Sequence, residues 1–216
     1  MLSQLLDGHH RFRNEHFVRE QALFRQLSEG VHEPTALVLS CCDARVVPDL
    51  ILSAPPGELF VVRNIANVVP PMGDPRGVSV ASALEYAILA LEVPHVIVCG
   101  HTECGGLKAA LKGRDKLDPG LSHVANWLEL TDGAREDAIA RALSPEQAEE
   151  LLIYANVMAQ LEHLLSYPLI SERLDADTLD IHGWVYDLAS GGIMAYDPDC
   201  DGFMPLSAET LEGLGG

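Results

Sequence analysis

The chain has 216 residues and a formal net charge of −18, from 14 Lys plus Arg against 32 Asp plus Glu. So acidic a surface repels nucleic acid and anionic lipid, and neither is expected as a partner. No stretch of about 18 uncharged apolar residues occurs, so no membrane-spanning helix is expected.

The N-terminus lacks the basic start and apolar run of a secretory signal, which points to the cytoplasm. One domain over 1–216 is expected, with enough chain to bury a sizeable core. The apolar fraction of 48% is high for a soluble monomer, so some apolar surface is expected between subunits. The five cysteines, 41, 42, 99, 104 and 200, form an odd set without framework spacing. They point to a reducing compartment and metal chemistry rather than disulfides.

In chain order, residues 1–29 carry apolar positions at helical spacing (Leu5, Phe12, Phe17, Leu23, Phe24, Leu27), and Gly30 ends this arm. A buried strand is expected over 35–40. The turn Cys41-Cys42-Asp43-Ala44-Arg45 follows, then a short helix from Pro48. A second strand is expected over 58–62, a helix over 77–92, a strand over 95–99 and a helix starting near Cys104. Residues 145–166 give the longest helix, with Ser144-Pro145-Glu146-Gln147 as its start signal. A last β unit runs over 179–187, turns at Ser190-Gly191-Gly192 and returns through 193–196. Residues 207–216 read as a frayed tail. Short apolar strands alternating with helices predict an α/β fold with a mostly parallel sheet covered on both faces. Such sheets place ligands at the carboxyl ends of strands.

Two segments stand at such ends: Cys41-Cys42-Asp43-Ala44-Arg45 and His101-Thr102-Glu103-Cys104-Gly105-Gly106. Together they offer thiols and an imidazole, the ligands Zn²⁺ prefers. Three protein ligands leave a tetrahedral position open, which marks a catalytic rather than a structural zinc. The helix beginning at Cys104 favours its thiolate, and Gly105-Gly106 let backbone approach an ion. Asp43 could accept a hydrogen bond from an activated water or take the fourth position itself, and Arg45 could hold it by a bidentate pair. Each fragment alone is weak. Most His-x-x-Cys pairs bind nothing, adjacent cysteines at a strand end are mostly core thiols, and Asp-x-Arg is usually a surface pair. Their joint placement at two strand ends is what points to a site.

The sequence resembles the β-class carbonic anhydrases. Cys41, Asp43 and Arg45 match the family's C-x-D-x-R, and His101, Cys104, Gly105 and Gly106 match its H-x-x-C-G-G. Supporting matches are Gly57 to Asn67, Ala83 to Ala87 and His182 to Asp187, and the similarity runs from about residue 3 to about 200. The resemblance implies hydration of CO₂ to bicarbonate by zinc-bound hydroxide, with Cys41, His101 and Cys104 holding one Zn²⁺ per chain and Asp43–Arg45 as catalytic dyad. It selects Cys41 over Cys42, since only Cys41 has Asp at +2 and Arg at +4. It also implies a homodimer, or dimers paired into a tetramer, with the arm embracing the partner. Two departures stand out. Val38 occupies the position of a Trp that, with residues matching Arg63 and Tyr186, builds an inhibitory bicarbonate pocket in some members. Pro55 replaces a Gln that orients substrate in plant-like members. The alternatives on the same scaffold are a hydrolase of CS₂ or COS and an inactive zinc-stabilised binding protein.

Overall fold

The computed structural model describes residues 2–30 and 32–207. Six strands form one sheet: β1 Ala36–Cys41, β2 Leu59–Asn64, β3 His95–His101, β4 Asp180–Tyr186, β5 Ile193–Asp197 and β6 Gly202–Pro205. Their order is β2-β1-β3-β4-β5-β6. The first four are parallel, and β5 and β6 are added antiparallel. The chain leaves β1 toward β2 on one side and resumes as β3 on the other. The carboxyl ends of β1 and β3 therefore flank the switch point, where open α/β sheets form their ligand crevice. Both motifs lie there.

Side-chain alternation explains the burial. Leu37 and Leu39 of β1 and Val96 and Val98 of β3 face the main core, while Ala36, Val38, Ile97 and Cys99 join a smaller cluster with Leu59, Trp184 and Tyr186. The main core lies against helix Pro145–Leu165, whose buried face includes Leu152, Ile153, Val157, Leu161 and Leu164. Each fully buried Leu contributes about 2–3 kcal/mol. Ser144 caps this helix by accepting the Gln147 N–H, and Pro145 occupies its first turn, as the sequence signal predicts. The helix approaches closely because of Gly100 in β3. A Cβ there would lie 2.8 Å from Val157 Cγ2.

The predicted strands and the longest helix stand within a few residues of expectation. Helices Ser122–Leu128, Asp132–Arg141 and Pro168–Asp175 and strand β6 are additional. Helix Asp132–Arg141 buries only Ala134 and Ala138, so its apolar stripe is too slight to read. Strand β6 is four residues long and ends on a proline, as an edge strand can. From residue 208 on, the expected tail lies outside the described residues.

The arm is helical over Leu2–Arg11 and Gln21–Glu29 but does not form one stripe. A π-helical turn at Phe12–His16 and a non-helical Glu20 bend it. Phe24 therefore stacks on Phe17 with centroids 4.8 Å apart, and Phe12 meets both edge-on. None of the segments Leu2–Arg11, Phe12–His16, Phe17–Arg19 and Gln21–Glu29 buries a residue, and Leu2, Leu5, Leu6 and Val18 stay exposed. Among the described residues no helix is long and apolar enough to cross a membrane.

Candidate metal centre

The end of β1 supplies Cys41, the end of β3 supplies His101, and Cys104 caps helix Gly105–Lys112. All three are buried, and their ligand atoms lie within 4.8 Å of one another. Cys41 Sγ and Cys104 Sγ are 4.0 Å apart. His101 Nδ1 is 2.8 Å from the Thr102 carbonyl, which can only accept, so the proton sits on Nδ1 and Nε2 carries a lone pair. Nε2 is fully buried and has no hydrogen-bond partner among the described residues. A buried acceptor without a partner costs about 1–3 kcal/mol, so it marks a place for another group.

The two sulfurs are within hydrogen-bonding reach of each other, and either can be the donor. A hydrogen bond with Cys104 lowers the Cys41 thiol to about 4 against the opposing effect of burial, helped by the backbone N–H groups of Asp43 and Ala66. The same hydrogen bond, with burial, raises Cys104, while the N–H groups of Leu107 and Gly106 oppose the rise. The helix N-terminus thus acts on Cys104 as its capping position predicts. A dication between the sulfurs would displace the proton that links them. Two thiolates about 2.3 Å from one tetrahedral zinc stand about 3.8 Å apart, so the observed spacing, the lone pair on Nε2 and the donor set fit that ion.

Asp43 and Arg45 stand beside these atoms. Arg45 Nε donates to Asp43 Oδ1 at 2.9 Å, Nη2 donates to Oδ2 at 2.7 Å, and the Arg45 backbone N–H donates to Oδ1 at 3.0 Å. These bonds hold the carboxyl well below the usual aspartate range, with the side-chain pair the largest cause. Arg45 Nη2 also donates to the Glu103 carbonyl at 3.2 Å, tying the first motif to the second. Cys42 is exposed; burial and the Cys41 charge raise its thiol.

Several residues support the first motif in roles that were not read from the sequence, Arg63 having been matched there only to an inhibitory pocket. Arg63 donates to the Cys41 carbonyl at 3.0 Å and to the Asp43 carbonyl at 2.7 Å, clamping the first motif. Ala66 has φ +62°, a left-handed conformation unfavourable for alanine. The turn that holds it is pinned on several sides: Asn156 Nδ2 donates to the Ala66 carbonyl, Trp127 Nε1 to the Ile65 carbonyl, and the Val69 N–H to Gln160 Oε1. Gln160 in turn donates to Asn156 at 3.0 Å. Two amides on the otherwise apolar buried face of helix Pro145–Leu165 were the available signal. The two glycines differ in what packs against them. A Cβ on Gly105 would meet nothing within 4 Å, whereas on Gly106 it would lie 2.8 Å from Ile65 Cγ2. Gly106 lets the helix start close on the Ala66 turn.

The fold and this cluster define a class: an open α/β enzyme with a buried Cys-His-Cys ligand set and an adjacent Asp–Arg pair. The carbonic anhydrase family profile matches residues 36–193. A carbonic anhydrase of Synechocystis sp. is 39% identical over 198 residues, covering 91% of this chain and 71% of that protein. The solved structure of the β-carbonic anhydrase CcaA superposes with a TM-score of 0.90 at 38% identity, covering 95% of this chain and 99% of that one. A tetrameric β-carbonic anhydrase from Sordaria macrospora matches with a TM-score of 0.76 at 27% identity, over 90% of this chain and 95% of that one. The chain belongs to the β-class carbonic anhydrases, which hydrate CO₂ reversibly.

Proposed function

We propose that the whole chain acts as one catalytic unit, with Cys41, His101 and Cys104 holding a single zinc ion and Asp43 and Arg45 acting on the reacting water. The observation that carries this reading is the buried, partnerless His101 Nε2 facing two sulfurs 4.0 Å apart. When bound, zinc is a Lewis acid that brings the pKa of a water in its open position to about 7.

The rest is work for this chain's own side chains. Asp43 Oδ2 receives one N–H in the resting pair and keeps acceptor capacity for a water proton. Accepting that proton's hydrogen bond aims an oxygen lone pair at the CO₂ carbon. Arg45 fixes the carboxylate plane and keeps both oxygens from turning elsewhere. Arg63 holds the main chain of the first motif in place. The carboxylate is ionised across the neutral range, so it is not the group that limits the rate there.

Activity is therefore expected to rise with pH through a group near or somewhat above 7, the reacting water, with a slope of one. Stopped-flow CO₂ hydration, with CS₂ as control substrate, checks this reading. Sulfide release from CS₂ without CO₂ hydration would reassign the reaction. Val38 fills the Trp position of the inhibitory pocket, and the Arg63 guanidinium is already committed to two carbonyls. A pH profile much steeper than one, sharpened by bicarbonate, would show that the pocket survives.

The exposed apolar side chains of the arm support a homodimer with wrapped arms, or such dimers paired. The Sordaria macrospora enzyme is tetrameric. Removal of residues 1–29 is expected to dissociate the assembly, lower the Tm and cut activity. A fully active, monodisperse monomer by light scattering, intact or truncated, would contradict this. The cysteines are free thiols, and zinc-binding thiols persist in reducing compartments, which supports the cytoplasm.

A further inference from the structure

We infer a second cation site at the opposite end of the sheet, formed by His95, Asp180 and His182 and suited to a borderline divalent ion such as zinc or cobalt. The strand register builds it. His95 opens β3 directly opposite Asp180 of β4, and His182 pairs with Ile97, two residues further along. Positions two apart share a sheet face, so all three side chains emerge on one side. It is the side of the smaller apolar cluster, at the amino ends of the strands, whereas the Cys-His-Cys set lies at the carboxyl ends.

The donor atoms converge. His95 Nδ1 is 3.4 Å from Asp180 Oδ2 and 3.4 Å from His182 Nε2, and each of the three residues places a ligand atom within 4.8 Å of the other two. Two ligands about 2.0–2.1 Å from one tetrahedral ion stand about 3.4 Å apart. Two edges of the triangle thus have the length that a shared ion sets. The third edge closes by rotation of Asp180, whose side chain is 59% exposed. As direct hydrogen bonds these contacts are poor, because ordinary ones fall at about 2.7–3.2 Å. His95 Nδ1 also faces a carboxylate and a second imidazole at once and can satisfy only one of them. An ion satisfies all three.

The surroundings favour a cation with an open coordination position. A groove of about 360 Å³ runs beside the two histidines, lined also by Leu52, Glu58, Leu59 and Trp184. Burial, with the neighbouring His95, pushes the His182 imidazole below its ordinary value, so its lone pair is available near neutral pH. The net charge of −18 draws cations to the surface. A bound ion would tie the starts of β3 and β4 together, so its expected consequence is added stability rather than catalysis.

Cobalt(II) added to the zinc-loaded enzyme tests this. The expected result is one further cobalt per chain, with weak visible d–d bands and no near-ultraviolet thiolate charge transfer, together with a raised Tm. Asp180→Asn changes an exposed side chain and His182→Ala removes a half-buried one. Each should weaken uptake beyond the ~10–100-fold that loss of even an outer-shell partner costs. The one zinc per chain at the Cys-His-Cys site and CO₂ hydration should not change in either. The inference is overturned by absence of the extra cobalt, by uptake unaffected in Asp180→Asn, or by a charge-transfer band showing that cobalt had entered the thiolate site instead.

Discussion

Cys41→Ser protein is expected to emerge without zinc and with CO₂ hydration reduced by at least ~10³-fold. A bound metal supplies several kcal/mol of transition-state stabilisation, and each 1.36 kcal/mol is worth tenfold. Serine keeps the shape of the side chain but cannot supply a thiolate. Cys41 is the thiol held lowest, by its contact with Cys104 and by two backbone N–H groups. Its loss leaves only one thiolate and one imidazole to hold the ion. Cys104→Ser should behave alike. Cys42→Ser is the discriminating control. Its thiol is exposed and raised by burial and by the Cys41 charge, and its backbone N–H is bound to the Asn64 carbonyl whatever the side chain. That variant should keep both zinc and turnover, measured by metal analysis and stopped flow on the same preparations. Zinc loss in Cys42→Ser with retention in Cys41→Ser would move the ligand register by one residue.

Why this much could be read in advance is clear from the residues involved. Cys41 and His101 each end a short, continuously apolar strand, and such runs are informative because buried parallel strands have no polar face to interrupt them. What alternation cannot give is register. That His95 faces Asp180, or that β1 lies between β2 and β3, depends on pairings between segments far apart in sequence. The same holds for the Ala66 turn. Nothing local makes an alanine adopt φ +62°; it is held there by Asn156, Gln160 and Trp127 from distant helices. The arm shows the reverse error. Helical spacing made Phe12, Phe17 and Phe24 one stripe, but the bend at Glu20 turned them into a cluster packed on itself. Periodicity assumes a straight helix, and a π-turn breaks that assumption.

Asp43→Ala should keep its zinc and lose CO₂ hydration near neutral pH by roughly 10- to 1000-fold, the range spanned by positioned acid–base and electrostatic groups. The more informative variant is Arg45→Ala. With Arg45 present, the Asp43 carboxyl lies well below its usual range. Without it, the group returns toward the ordinary aspartate value of about 3.9, which is still ionised at neutral pH. Loss of activity at pH 7 therefore cannot come from protonation of Asp43; it must come from position. Freed of its two side-chain hydrogen bonds and the geometry they impose, the carboxylate can turn toward the open coordination position and displace the reacting water. Cobalt-substituted Arg45→Ala should show this as an altered visible spectrum, with the rate falling while metal content holds. Arg45→Lys keeps the charge but not the planar fork, so it should recover only part of the rate. Full recovery by lysine would reduce Arg45 to a nearby charge. Near wild-type turnover in both Asp43→Ala and Arg45→Ala would remove the pair from the mechanism.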